Sequence, residues 1–160
     1  MLEAYIDGAC EPVNPGGTAS YGVLILRQGL ERYGAGPGDV EPVVEPVWED
    51  YGIVGSGPKM SNNVSEYAAL VKLLEWLDKN LLAEIIVVNS DSQMLVNQMS
   101  GKWKARSDKL YYPYYQRALT LMLIDEFSKG VKFKWIPREQ NLADELSIRA
   151  LTKIGIVRRR

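Results

Sequence analysis

The stretch from Leu2 to Gly17, LEAYIDGACEPVNPGG, constrains the rest of the chain most. Leu2, Ala4 and Ile6 alternate with Glu3, Tyr5 and Asp7, and this period of two predicts a strand with one face against helices and Asp7 on the other. The strand runs into a turn rich in glycine and proline, so Asp7 stands at its end. Asp-Gly alone is an ordinary turn signal. Three later carboxylates in comparable settings give it a second reading.

Glu66 lies one turn into a helix opening at Ser61-Asn62-Asn63, in line with Leu70, Leu73 and Leu77, so a carboxylate heads an apolar stripe. Asp91 follows Ile85-Ile86-Val87-Val88, which reads as a buried strand, and stands where the next helix begins. Asp144 falls in the first turn of a helix after the strand Val131–Ile136 and shares a face with Ile148 and Leu151. Capping explains much of this, because Asn63-x-x-Glu66 and Asn141-x-x-Asp144 have capping-box spacing and Ser90-Asp91 is a good N-cap. It does not explain the inward line of Glu66. A cap works equally well facing water, and burying an unpaired carboxylate costs on the order of several kcal/mol or shifts its pKa. A bound cation removes that penalty.

In order along the chain, YIDGA and NPGG, ASYGVLI, SNNVSEYAAL, VNSDSQ and NLADELS resemble the motifs of type 1 ribonuclease H. They cover most of the sequence apart from about residues 30–57. The resemblance implies an α/β, ribonuclease H-like fold. Its five-stranded mixed sheet has order 3-2-1-4-5, the first three strands antiparallel, and is flanked by helices. It also implies that Asp7, Glu66, Asp91 and Asp144 are catalytic and hold two divalent ions. Mg²⁺ is the expected ion and Mn²⁺ a substitute, both being hard cations that take oxygen ligands. The implied activity is hydrolysis of the RNA strand of RNA-DNA hybrids by a two-metal-ion mechanism, leaving 5'-phosphate and 3'-hydroxyl ends. Asn14, Asn62, Asn63 and Gln93 would face the minor groove, where the 2'-hydroxyl separates RNA from DNA. Turn and cap chemistry is the alternative for these four.

With 160 residues, 46% hydrophobic and 24% charged, the chain reads as one domain over 1–160 with a sizeable core. No run approaches the length of a membrane span and no secretory signal is visible, so a cytoplasmic monomer without membrane contact is expected. The single cysteine, Cys10, suits a reducing compartment and reads as a small buried residue.

Net charge is only -1, but it is unevenly spread. Residues 1–100 carry 5 Lys and Arg against 14 Asp and Glu, and residues 101–160 carry 14 against 6. A nucleic-acid footprint belongs in the last third. There, Lys102 and Lys104 flank Trp103 ahead of Arg106, Lys109 and four tyrosines, a pattern suited to phosphates and base faces. The alternative is a solvated helix start with the aromatics, Trp103 especially, on the core. Relatives with a basic protrusion use more chain than Gly101–Gly130 provides, so one long helix over about 108–128 and weaker substrate affinity are expected. Residues 29–50 hold six acids, one arginine, and repeated glycine and proline. They read as an acidic, solvent-facing loop inserted between the second strand and a third near 50–54. The Arg158-Arg159-Arg160 tail reads as frayed and polar.

The chain has no histidine, whereas many relatives place one before the last helix. Arg138 and Glu139 are the nearest polar substitutes. Protonating the clustered acids opposes metal binding, so activity is expected to rise through the acid range. Two rival readings stay open: a non-catalytic RNA- or hybrid-binding module, and a related metal nuclease acting on double-stranded RNA or DNA.

Overall fold

In the computed structural model, which describes residues 1–80, 84–124 and 130–157, β1 (Leu2–Glu11) keeps its expected alternation. It pairs antiparallel with β2 (Thr18–Arg32), which pairs antiparallel with β3 (Val40–Ser56). Helix α1 (Asn62–Asn80) crosses to β4 (Ile86–Ser90), parallel to β1. Then come α2 (Gln93–Met99), α3 (Tyr112–Ile124), β5 (Val131–Trp135), parallel to β4, and α4 (Asp144–Thr152). The sheet order is β3-β2-β1-β4-β5, as the motifs implied. A right-handed crossover beside a central β1 brings the ends of β1 and β4 together.

Leu2, Ala4, Ile6, Val23 and Ile25 on one sheet face pack with Val64, Tyr67, Leu70, Leu73 and Leu74 of α1. Ala118 and Leu121 of α3 close the same core. Each fully buried Leu, Ile or Val contributes roughly 1.5–3 kcal/mol. Helix α4 covers the opposite face through Leu146, Ala150 and Leu151. Two glycines set the helix distances. A Cβ on Gly8 would sit 2.6 Å from the Glu66 amide nitrogen, and one on Gly22 2.7 Å from the Ala143 carbonyl oxygen. Gly8 is therefore a mid-strand contact point between β1 and α1, not a turn residue. Among the described residues no helix is long and apolar enough to cross a membrane.

The stretch at 29–50 differs from expectation. It is not a loop but the outer half of a long hairpin in which Gln28 pairs with Val44 and Arg32 with Val40. Gly and Pro misled the reading because β3 is the sheet's edge strand. Pro42 and Pro46, opposite Leu30 and Leu26, cannot donate a ladder hydrogen bond, and an edge strand has an outer side where none is needed. A register shift between Ile25 and Leu26 falls just before Leu26 and Arg27, the last residues of β2 that pair with β1, and beyond them the hairpin continues alone. Trp48, stacked on Trp76 of α1 at 5.1 Å, anchors its base.

Helix starts also shift. The first turn of α1 is capped by Ser61, whose Oγ accepts from Val64 N at 3.1 Å, rather than by Asn63. Ser92, not Ser90-Asp91, caps α2, accepting from Leu95 N at 3.1 Å. A 3-10 turn at Arg138–Gln140 and an Asn141 side chain that accepts from Ala143 N delay α4 to Asp144, three residues later than expected. Helix α3 begins at Tyr112 instead of about 108, and its expected end beyond 124 lies outside the described residues, as does the Arg158–Arg160 tail.

Candidate metal centre and nucleic-acid interface

Asp7 lies in the middle of β1, which runs four residues past it, to Glu11, instead of ending there as expected. Asp7, Glu66 in the first turns of α1 and Asp91 just after β4 each offer a carboxylate oxygen, and these oxygens lie within 4.8 Å of one another. Asp7 and Glu66 are only 2% exposed. Like charges so close and so buried repel strongly, and an all-oxygen donor set of this kind fits a hard divalent cation.

The fourth expected member stands apart. Asp144 is not in this triad, and its Oδ1 lies 3.8 Å from Nε of Arg138 in a half-exposed ion pair. Arg138 and Glu139 are both exposed on the 3-10 turn.

Two donors that the sequence did not flag approach the triad from one segment. Asn141 Nδ2 donates to Asp91 Oδ2 at 3.1 Å and to the Ile6 carbonyl at 2.9 Å, tying the ends of β4 and β1 together. Ser147 Oγ lies 2.6 Å from Asp7 Oδ2. The sequence held a signal for each. Asn141 precedes Asp144 by three residues, at the capping-box position, and Ser147 follows it by three, one turn along α4. Trp135 Nε1 adds a bond to the Asp91 carbonyl at 3.1 Å.

Of the expected groove residues, Asn14 accepts from Asn62 N through its Oδ1 at 2.8 Å, pinning the first turn to the start of α1. Asn63 and Gln93 are exposed, and Asn62 is half-buried. Asn63 also lines a groove of about 480 Å³ with Gln98, Trp103, Lys104, Arg106 and Lys109. Trp103 is 51% exposed, so it does not take the core position weighed as the alternative for it. The tyrosines take that role: Tyr111 is buried and stacks on Tyr67 at 5.4 Å. Tyr67 OH donates to Gln98 Oε1 at 2.6 Å, and Gln98 Nε2 and Arg106 N both donate to Tyr111 OH at 2.9 Å. That chain of bonds fastens the basic loop to α1 and α2, and leaves Lys102 and Lys104 exposed at its outer edge. Burial, with Tyr111 and Tyr115 close by, pushes the Tyr67 phenol far above its usual range. Cys10 is buried, its thiol donates to the Val13 carbonyl, and burial pushes its pKa up, as an inert core thiol requires.

The profile of the family described as reverse transcriptase-like matches residues 51–150, more than half of the chain. The chain belongs to this family. Among solved structures, the reverse transcriptase-like domain is similar to LC11-RNase H1, seen in complex with an RNA/DNA hybrid, with TM-score 0.73 and 26% identity over 96% of this chain and 99% of that one. It is also similar to the N-terminal RNase H domain of Rv2228c from Mycobacterium tuberculosis, with TM-score 0.67 and 26% identity over 95% and 94% of the two chains. The bifunctional protein Rv2228c itself is 33% identical over 132 residues, 78% of this chain and 34% of that protein. The reverse transcriptase-like domain thus spans about a third of the length of the curated relatives it matches. The likeness to type 1 ribonuclease H read in the motifs extends over 96% of the chain.

Proposed function

We propose that this domain hydrolyses the RNA strand of RNA-DNA hybrids, using two divalent ions, Mg²⁺ or in its place Mn²⁺, and leaves 5'-phosphate and 3'-hydroxyl ends. The observation that carries the reading is the triad of Asp7, Glu66 and Asp91 carboxylates within 4.8 Å, together with a groove lined by Trp103, three cations and Asn63, which precedes Glu66 by three residues on α1. The hybrid bound by the similar LC11-RNase H1 supports the choice of duplex.

When bound, the ions supply Lewis acidity toward water and the scissile phosphate. The rest is done by the chain. Asp7, Glu66 and Asp91 would hold the ions, and Asp144, which lies 3.8 Å from Arg138, would serve as fourth ligand. Lys102, Lys104, Arg106 and Lys109 bind backbone phosphates, while Trp103 offers a stacking face to sugar or base. Asn14, Asn62, Asn63 and Gln93 lie toward the minor groove and sense the 2'-hydroxyl. Arg138 or Glu139 stands in for the loop histidine that the sequence lacks. No side-chain nucleophile is needed. The domain works as a cytoplasmic monomer over residues 1–160, with the hairpin at 29–50 as an added arm.

The test is a labelled hybrid incubated with Mg²⁺ or Mn²⁺, beside double-stranded RNA, DNA and the Asp7→Asn variant. Cleavage of the hybrid RNA by wild type alone is the expected result, and intact RNA after long incubation at high enzyme would reject the reading. The position of Asp144 outside the triad favours one rival, a non-catalytic hybrid-binding module. Calorimetry with Mn²⁺ separates the two, since a pure binder has no need to take up metal.

A further inference from the structure

We infer that Ser147 is a positioning residue for the Asp7 carboxylate, setting its plane for metal. The inference rests on the hydrolase reading above. Ser147 is fully buried in α4. Its Oγ lies 2.6 Å from Asp7 Oδ2 and 2.9 Å from the Asp144 carbonyl one turn back. A helical serine ordinarily satisfies itself on such a carbonyl. Here the Asp7 oxygen is the nearer of the two, and toward an ionised carboxylate, the form that binds metal, a charge-assisted bond is about twice as strong as a neutral one, so the single hydroxyl proton goes to Asp7.

The donor is itself held. Ser20 Oγ of β2 donates to the Ser147 carbonyl at 2.9 Å, and the bare Cα of Gly22 lets the α4 backbone lie against β2. The hydroxyl therefore approaches Asp7 from a fixed point on the sheet. A carboxylate with one oxygen tied in this way is restrained about its Cβ–Cγ bond, which biases its direction toward Glu66 and Asp91 before any ion arrives. The same turn of α4 carries Asp144 three residues earlier, so the first and fourth acids are mechanically joined through one side chain. Donors behind a metal ligand are typically worth about 10- to 100-fold in metal affinity.

The test is calorimetric titration of the full chain with Mn²⁺, without nucleic acid, for wild type, Ser147→Ala, Ser147→Thr and Ser20→Ala. Loss of the hydroxyl is expected to weaken Mn²⁺ binding by about 10-fold. Ser147→Thr, which keeps the donor, should recover most of it. Ser20→Ala, which loosens the donor without removing it, should lower the melting temperature and cost clearly less Mn²⁺ affinity than Ser147→Ala. In hybrid cleavage, Ser147→Ala should need more metal for half-maximal rate, with the KM for hybrid at saturating metal unchanged. Equal affinity in wild type and Ser147→Ala would overturn the inference, as would an equal loss in Ser20→Ala, which would reduce Ser147 to packing. If Ser147→Ala does not fold, Ser147→Cys, a similar shape with a poor donor, is titrated in its place with the same two outcomes. A wild-type protein that takes up no Mn²⁺ would instead sink the hydrolase reading, before any variant is compared.

Discussion

Gly8 lies so close to the first turn of α1 that a Cβ on it would come within 2.6 Å of the Glu66 amide nitrogen. The neighbour is backbone, so it cannot swing aside, and Gly8→Ala must push α1 off β1. The expected loss is about 2 kcal/mol, within the usual range for overpacking. Because Glu66 moves with the helix, metal affinity should fall as well. Urea unfolding and Mn²⁺ titration of the same variant check both, and an unchanged midpoint would show that the helix shifts without penalty.

Glu66→Gln separates stability from function. Removing one charge from a buried cluster relieves repulsion, so the metal-free variant should melt no lower than wild type. Cleavage of a hybrid should drop by at least about 100-fold, because a ligand is lost and not merely its support. Added Mn²⁺ should raise the melting temperature of wild type and leave this variant unmoved. Thermal melts with and without metal, beside a cleavage assay, decide it.

The parts of this site that the sequence announced are those fixed by local pattern. Glu66 and Asp91 could be placed because they sit near a helix start and just after a strand, and Asp7 because alternation puts it on the face of β1 opposite Leu2, Ala4 and Ile6, although the strand runs on to Glu11. Their convergence then follows from a parallel crossover beside a central strand. Asp144 had the same local signature, but it lies outside the triad and 3.8 Å from the Arg138 guanidinium, a contact set by loop geometry that no spacing encodes. Ser147 looked like one more polar residue inside a short helix, because its partner lies 140 positions away. The hairpin at 29–50 was hidden for a different reason. Proline, glycine and acid are loop signals unless the strand is an edge, and edge position is a property of the assembled sheet.

Alkaline pH should destabilise the fold through its buried tyrosines. Tyr67 is raised by burial and by its neighbours Tyr111 and Tyr115, and Tyr21 is raised by burial and then by Asp50, whose Oδ2 accepts its hydroxyl. An unfolded tyrosine ionises near pH 10, roughly, while these two stay protonated in the native state. Above that pH the unfolded chain binds fewer protons than the folded one, so stability is complete below the unfolded pKa and declines as pH rises toward the folded value. Each group contributes a slope of about 1.4 kcal/mol per pH unit at most. Urea midpoints from about pH 9 to 11.5 should fall accordingly, and Tyr67→Phe should lose its share of the slope. A flat profile would contradict it.

Lys104, exposed beside Trp103 on the groove, should act as a phosphate contact. Lys104→Ala is expected to weaken hybrid binding and to lower the slope of log affinity against log salt by about 0.7–0.9. Trp103→Ala should instead cost about 1–3 kcal/mol with the slope retained, since stacking releases no counterions. Anisotropy titrations on the Asp7→Asn background, across a salt series, distinguish the two losses.

The outer hairpin should be dispensable for chemistry. Joining Gln28 directly to Val44 through Asn-Gly keeps the paired register and suits a two-residue turn. Hybrid cleavage by the shortened protein should stay within about twofold of wild type, as tolerated surface insertions generally allow. A larger loss in kcat/KM would assign the arm a part in substrate handling.

That arm begins at the sheet end where Leu2 pairs with Arg27, and its turn at residues 33–39 lies ten residues along β2 from the Gly22–Asp7 pair, roughly 30 Å at strand rise. The lone native thiol is shut away at Cys10, so a cysteine introduced at exposed Ala35 would be the single accessible attachment point on the described surface. A dye or a bead fixed there would tether the molecule by its far end, with the acidic cleft turned outward for watching individual duplexes arrive and leave.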